Sequence, residues 1–443
     1  MGPIAGPLFA ELAIGIGAGV VGTLLAARVS DSAAAAFALG NHVAALLFIL
    51  FRILGAGAGV VIAQHTGAGR PAEANRLIRA LLGASSALGL AVALAAALGS
   101  TTLMRWVNAP ADLLPVAATF LVALAPSMIV DAWAAMLSSA LRARLVNRAV
   151  LVVTIASTGV HLVLALPLMF GAGDSQGWGL TGFAVAQFAG RAVAVIALLW
   201  VARQSLGLRV AWRDWLHRHP EVLRPVLRIG VPGAAENIGY RLAFVASLAA
   251  AGTLGAQALA AQAYALQVSY VAMLFGLAIG LSMEIAIGHL AGAGNLRAAD
   301  TLLRGALRLA LGLAVVATAA SALVAPWTLR GFTSDAAILR EAWLLLWLTV
   351  LLEPGRTFNL VVINALRACG DAKFPVVAGV ASMVLVLAGG SWLFAVELGW
   401  DLTGIWIAYI ADEWCRGLIM WARWRSLAWA GHVRQVRRRS ESA

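Results

Sequence analysis

The sequence predicts an all-α membrane protein with about twelve transmembrane helices in two pseudo-symmetric six-helix lobes. Composition is the first reason. Of 443 residues, 62% are hydrophobic and 12% charged, whereas a soluble domain is about half apolar and a quarter charged. The second is the recurrence of apolar runs of about 20 residues or more, each long enough to cross a bilayer. The third is an internal repeat at one offset of 225 residues. Gly67-Ala68-Gly69 returns as Gly292-Ala293-Gly294, Arg79 as Arg304, and Ala140-Leu141-Arg142-Ala143 as Ala365-Leu366-Arg367-Ala368, while Pro7 and Glu11 return as Pro232 and Glu236. One offset joining separate regions marks two homologous halves, and repeated membrane halves are characteristic of secondary transporters.

The elements follow in order, with boundaries approximate. Spans 1 and 2, at roughly 5–27 and 34–65, lead into Arg70, Arg76 and Arg79. Spans 3 and 4, at 77–104 and 113–139, lead into Arg142, Arg144 and Arg148. Spans 5 and 6, at 149–171 and 179–202, precede the longest polar stretch, about 203–226, which contains Arg203, Arg209, Arg213, Arg218, Arg224, His217, His219, Pro220 and Pro225. Arg228 follows directly as span 7 begins. Spans 7 and 8, at 227–252 and 258–290, lead into Arg297, Arg304 and Arg308; spans 9 and 10, at 302–328 and 337–365, into Arg367 and Lys373. Spans 11 and 12, at 375–396 and 403–424, end in a basic tail carrying Arg423, Arg425, Arg434, Arg437, Arg438 and Arg439. Helices are the expected form, because backbone groups in hydrocarbon must bond within their own segment, and the runs lack the alternation of barrel strands.

Twenty-three of the 32 basic residues thus follow even-numbered spans, and the opposite loops hold only Arg28, Arg105, Arg330 and Arg340. Positive loops stay inside. The chain is therefore expected to be multi-pass in a bacterial-type cytoplasmic (inner) membrane, with both termini cytoplasmic. The net charge of +12 is a topology signal; spread over the loops of one side, it does not point to nucleic acid. Residues 1–202 are read as the N-lobe, 203–226 as a cytoplasmic linker, 227–427 as the C-lobe and 428–443 as the tail. The first residues carry no basic n-region, so span 1 is expected to be retained.

Several chemistries are missing. There is no phosphate-binding GxxxxGK[ST] motif, and the one lysine, Lys373, follows Asp371-Ala372. There is no HExxH and no GxSxG, which argues against a hydrolase. The two cysteines, Cys369 and Cys415, read as packing residues, and no metal or cofactor is expected. An ion gradient is the simplest energy source for such a chain. The expected partners are small organic substrates, H⁺ or Na⁺, and the lipid bilayer, with the protein acting as a monomer.

Charges inside the spans carry the functional reading, since each is costly unless it faces a partner or a cavity. They are Glu11, Arg52, Asp131, Arg191, Glu236, Arg241, Glu284, Glu353, Arg356, Asp412, Glu413 and Arg416. Glu353 and Arg356 share a helix face at a spacing of three, and Arg416 shares one with Asp412 and Glu413. The latter cluster is either an interface cap or part of a cavity. Glu236 follows Pro232 by one turn, and its nearest cation in the chain, Arg241, points to another face. It therefore reads as a carboxylate without a local partner, available for coupling. Asp131 maps by the repeat onto Arg356, so one half carries an acid where the other carries a base; the two meet, or each serves its own lobe. Glu236, Glu353, Asp131 and Glu284 are the candidate coupling residues. Arg356, Asn237, Tyr240 and Gln267 are the candidate substrate-cavity residues, with Glu11, Asp412, Glu413 and Arg416 as further candidates. Pro7 and Pro232 each remove a helical hydrogen bond and permit a kink. His42 and His161 read as structural.

The chain resembles the multidrug and toxic compound extrusion (MATE) family over about residues 3–425. The resemblance rests on the two repeated lobes and on Gln64-His65-Thr66-Gly67-Ala68-Gly69-Arg70-Pro71 and Gly288-His289-Leu290-Ala291-Gly292-Ala293-Gly294-Asn295. It rests also on Ala365-Leu366-Arg367-Ala368-Cys369-Gly370-Asp371, similar to the family's L-R-G-x-G-D. The family's span 1 aspartate, within a V-D-T-like stretch, is replaced here by Val21-Gly22-Thr23. Its span 10 aspartate is replaced by Arg356, and its span 7 acid falls at Tyr240, one turn beyond Glu236. The resemblance implies an exporter of organic, often cationic and amphipathic compounds driven by inward H⁺ or Na⁺, with H⁺ favoured because the acid-rich constellation is incomplete. The alternative within the same superfamily is a flippase of lipid-linked oligosaccharide or related lipid precursors.

Overall fold

The computed structural model describes residues 2–107, 109–171, 176–216 and 220–441, and the side chains of all of these except 220, 221 and 435–441. His217, Arg218 and His219 of the expected linker lie outside the described residues. No strand occurs among the described residues. The helices are α1 (Gly2–Val29), α2 (Asp31–Gly67), α3 (Pro71–Leu98), α4 (Ser100–Trp106), α5 (Leu114–Ala143), α6 (Asn147–Phe170), α7 (Gly179–Leu206), α8 (Pro220–Thr253), α9 (Ala256–Gly292), α10 (Leu296–Thr328), α11 (Ala336–Ala368), α12 (Lys373–Ser382), α13 (Gly389–Trp392), α14 (Asp401–Arg425) and α15 (Ala428–Glu441). Here α12 and α13 belong to one span, 373–397, interrupted by π-helical turns at Met383–Ala388 and Leu393–Glu397. With α4 a short extension of α3 and α15 the tail, twelve spans remain, as the sequence predicts. Among the described residues, nine are long and apolar enough to cross a membrane. The other three are α8, α11 and α14, the helices that carry Glu236 and Arg241, Glu353 and Arg356, and Asp412, Glu413 and Arg416.

The repeat is visible in the backbone. Helices α2 and α9 are each 37 residues long and begin 225 residues apart. The loops that follow them close alike: the Arg70 N–H donates to the His65 carbonyl at 3.0 Å, and the Asn295 N–H donates to the Leu290 carbonyl at 2.9 Å. Both turns need a left-handed residue, supplied by Gly69 at φ 75° and Gly294 at φ 74°, a conformation glycine adopts without steric cost. The ends of α5 and α11 also match. Val146 N–H bonds Leu141 O, and Asp371 N–H bonds Leu366 O, each at 3.0 Å.

The chain divides into two compact units, Gly2–Gly230 and Val231–Ala443. In the first, α5 is central and packs on α2, α3 and α7. In the second, its repeat counterpart α11 packs on α9, α10 and α14, the counterparts of the same three. The segment expected as the linker, 203–226, packs against the first unit. Leu206 O accepts from Asn75 Nδ2 at 3.0 Å, and Trp215 stands edge-on to Trp133 with centroids 4.5 Å apart. Val226 is buried so tightly on α2 that a Cβ at Gly57 would lie 2.1 Å from its carbonyl oxygen. The segment and the first turns of α8 therefore belong to the first unit, and the boundary falls inside a helix.

The first unit is centred on Phe37, Phe120 and Phe183, whose ring centroids lie 4.9–6.4 Å apart. The second unit has two apolar clusters. One contains Leu345, Leu346, Leu352, Trp406 and Tyr409, and the other Phe358, Val361, Val362, Met420 and Trp424. Between them, on α11 from Glu353 to Arg356 and on α14 from Asp412 to Arg416, lies a layer of charge.

Candidate functional site in the second unit

The layer is assembled by helical spacing and completed across helices. On α11, Arg356 Nη1 donates to Glu353 Oε1 three residues earlier. Its Nε donates to Glu413 Oε1 of α14 at 3.2 Å. Asn359, a turn further along α11, donates to the other oxygen of Glu413 at 3.1 Å. On α14, Arg416 Nε donates to Asp412 Oδ2 at 2.9 Å, and its Nη2 lies 2.9 Å from Glu413 Oε2. Asp412 also accepts from Ser382 Oγ at 2.7 Å; Ser382 ends α12 where the π-helical turn begins. Three carboxylates and two guanidiniums thus alternate in one connected network, with one negative charge in excess if all are ionised. Glu353 Oε2 is buried and has no hydrogen-bond partner among the described residues. Pairing is what makes such burial tolerable, because an isolated ion in this environment would cost several kcal/mol at roughly the scale of buried charges. The interface-cap reading of Asp412, Glu413 and Arg416 is thereby replaced: all three are buried.

A neutral polar arm adjoins the layer. The Arg416 guanidinium lies 5.9 Å from the Tyr240 ring centroid. Tyr240 stacks on Phe244, and Phe244 packs on Tyr409. The Tyr409 hydroxyl pairs with Ser247 Oγ at 2.6 Å and accepts from Gln262 Nε2 at 3.2 Å.

The first unit holds the counterpart with opposite polarity. Asp131 of α5 pairs with Arg191 Nε of α7 at 2.8 Å and is hydrogen-bonded by Gln187. At the 225-residue offset, Asp131, Arg191 and Gln187 become Arg356, Arg416 and Asp412. Replacing the acid by Arg356 brings two guanidiniums into one layer. The second unit answers with carboxylates: Glu353, Asp412 and Glu413 stand where the first has Met128, Gln187 and Phe188. Asp131 and Arg356 therefore each serve their own unit.

Other predicted residues lie elsewhere. Glu236, expected to lack a partner nearby in the chain, is paired across helices: Arg367 Nη2 donates to Glu236 Oε2. Arg142 does the same for Glu11 at 2.5 Å. Both pairs span 131 residues, so the repeat preserves the pair as well as its members. Glu284 is half-buried on α9. Asn237 is exposed and bonds its own backbone at Gly233 O. Gln267 is exposed, whereas Gln262, one turn and a half earlier, is the buried glutamine. Pro7 and Pro232 lie inside α1 and α8, which continue through them. The candidate list lacked Arg191, Asn359, Ser382, Tyr409, Gln262 and Arg367. For two of these the repeat was an available signal: Arg191 is the counterpart of Arg416, and Arg142 and Arg367 recur in step with Glu11 and Glu236.

Comparison with known proteins agrees with this architecture. Residues 7–166 and 232–392 each match the MatE family, once in each unit. The chain is 31% identical over 423 residues to YisQ of Bacillus subtilis, named an uncharacterized transporter, covering 96% of this chain and 93% of that one. It is 28% identical over 428 residues to a probable multidrug resistance protein, NorM, of Pseudomonas putida, covering 91% and 88%. Among solved structures, the Vibrio cholerae MATE transporter VcmN in the bent form shares the fold, with a TM-score of 0.87 at 17% identity over 98% of this chain and 96% of that one. A family match that falls once in each half, joined to a relative similar along nearly its whole length, decides the matter: the chain belongs to the MatE family.

Proposed function

We propose that the protein is a secondary active efflux antiporter, working as a monomer, that exports organic amphipathic compounds in exchange for inward H⁺ (or Na⁺) by alternating access. The observation that carries this reading is the buried layer of three carboxylates and two guanidiniums, whose excess negative charge centres on Glu353, with its Oε2 unpartnered among the described residues. One proton on that oxygen neutralises the layer, and its loss restores the charge. Such a change, several kcal/mol at roughly the scale of a buried ion, is large enough to bias two conformations of the helices that share the layer. Glu353 is then the coupling carboxylate. Glu236, held by Arg367, and Asp131, held by Arg191, have structural and positioning roles. The multidrug resistance names of the NorM relatives support organic compounds as the cargo. The chain lies in the cytoplasmic membrane with both termini inside; Arg213→Cys should accordingly be labelled by an impermeant thiol reagent only after cells are opened.

Transport by the purified protein in liposomes, with pH and Na⁺ gradients imposed separately, tests the antiport reading. An inward proton gradient should drive export, and Glu353→Gln should abolish that drive while the protein stays folded. Movement of lipid-linked sugar that ignores both gradients would favour the flippase alternative and refute antiport.

A further inference from the structure

The charges inside the spans are sorted by sign and exposure. All seven acids are buried or half-buried, whereas Arg52, Arg191 and Arg241 are exposed. Each of these three lies at least twelve residues from either end of its helix, or about 18 Å at 1.5 Å per residue. Charged side chains at such depth almost always face a bundle interior or a watery cavity rather than lipid. Among these charges, the exposed ones are therefore all basic.

Arg191 is the member of this set with a built support. Asp131, 5% exposed, holds it through Nε, the inner nitrogen of the fork, and Gln187 steadies the carboxylate. Nearly half of the Arg191 side chain, 46%, stays accessible. The terminal nitrogens of a guanidinium held this way are oriented to take a second oxyanion in bidentate fashion. Beside it stands His161 of α6, whose Nε2 is buried without a hydrogen-bond partner among the described residues. The repeat counterpart shows the contrast. Arg416 is 4% exposed and enclosed by Asp412 and Glu413, so its charge is spent inside the protein. One unit sequesters its arginine; the other presents it.

We propose that Arg191 anchors an oxyanion (a carboxylate, sulfonate or phosphate) carried by the transported compound, with Asp131 as its positioning residue. The proposal rests on the transporter reading and reverses the cationic class of cargo that the family resemblance implied.

The test uses the purified full chain in detergent with two dansyl amphipaths that differ only in ending on a carboxylate or on a trimethylammonium group. Fluorescence titration should show tighter binding of the carboxylate. Arg191→Gln should weaken it roughly 10- to 100-fold, as expected for one charge-assisted contact, and Arg191→Lys should weaken it less, keeping the charge without the fork. Because Arg191→Gln strands Asp131, the double variant Asp131→Asn/Arg191→Gln is measured beside it. It should bind as weakly as the single variant while melting with the wild type. Phosphatidylglycerol added to the micelles separates two sources of the same chemistry. Arg191-dependent displacement of the carboxylate probe assigns the oxyanion to a lipid headgroup, and its absence to a free solute. Tighter binding of the trimethylammonium probe, or carboxylate binding unchanged in both glutamine variants, overturns the proposal. Arg191-dependent carboxylate binding in detergent, with no gradient-driven flux of either compound in the liposome assay, would leave the oxyanion site standing and overturn the antiport reading instead.

Discussion

Replacing Arg356 by methionine removes the link between the two halves of the ionic layer. In the native layer three carboxylates face two guanidiniums, an excess of one negative charge. Arg356→Met raises that excess to two and takes from Glu353 its ion-pair partner, while Glu413 keeps Asn359 and Arg416. At 3.2 Å, the lost attraction between Arg356 and Glu413 alone is about 5 kcal/mol for an effective dielectric near 20. The guanidinium's own desolvation offsets part of it, so the expected net destabilisation is about 3–5 kcal/mol, the usual cost of breaking a buried pair. That is a large share of the roughly 5–15 kcal/mol that holds an ordinary domain together. The double variant Glu353→Met/Arg356→Met removes one charge of each sign and returns the excess to one. It should recover most of the loss, because buried pairs replaced by apolar side chains are often neutral in stability. With Glu353→Met alone measured beside them, thermal melting of the purified proteins, followed as the monodisperse fraction on size exclusion, closes the cycle, with a coupling expected to be at least about 2 kcal/mol. A single variant that melts with the wild type, or a double variant as unstable as the single one, would refute charge balance as the principle of the layer.

Glu236→Gln should lower stability by about 1–3 kcal/mol, the value of a charge-assisted hydrogen bond, and leave proton-driven exchange intact, with Glu11→Gln acting in the same direction; loss of exchange at unchanged melting would return Glu236 to the coupling role. Gly182→Ala should cost about 1–3 kcal/mol by overpacking, since its Cβ would lie 2.2 Å from the Leu168 carbonyl oxygen; wild-type melting would show that α6 and α7 can separate freely. Trp429→Ala should release the tail helix α15, because Trp429 is fully buried, stacks on Trp424 at 4.2 Å and donates to the Trp424 carbonyl. Limited trypsin digestion should then cut within the basic tail much faster than in the wild type, and an unchanged rate would refute the docking.

The span pattern was legible because hydrocarbon leaves the backbone one economical solution, and about 20 apolar residues are needed to cross it. The Glu353–Arg356 contact was legible too, since a spacing of three sets both side chains on one face of α11. What escaped were partners separated by many residues. Glu236 was judged by its neighbours in the chain, and its cation is 131 residues away on α11. Gln267 and Asn237 are exposed, and residue type does not tell which side of a helix faces a partner. Tyr409, Ser247 and Gln262 come from three helices and meet at one hydroxyl. The packing of the linker escaped for a related reason: polar composition marks a segment as outside the membrane but does not tell what it packs on, and Trp215 and Val226 bind it to the first unit.

By itself the sequence determined the membrane environment, the number of spans, the two homologous halves and the inversion of charge between Asp131 and Arg356. Each is a property of periodicity, composition or self-similarity, and these are one-dimensional. Only the tertiary structure decided how the inversion is made tolerable. Burial removes water as a partner, so each charge must find its complement among groups that helix packing brings within about 3 Å, whatever their distance along the chain. In the second unit that requirement gathers Glu353, Asp412 and Glu413 around two arginines and closes the layer. In the first, a single aspartate suffices for Arg191 and leaves its guanidinium accessible.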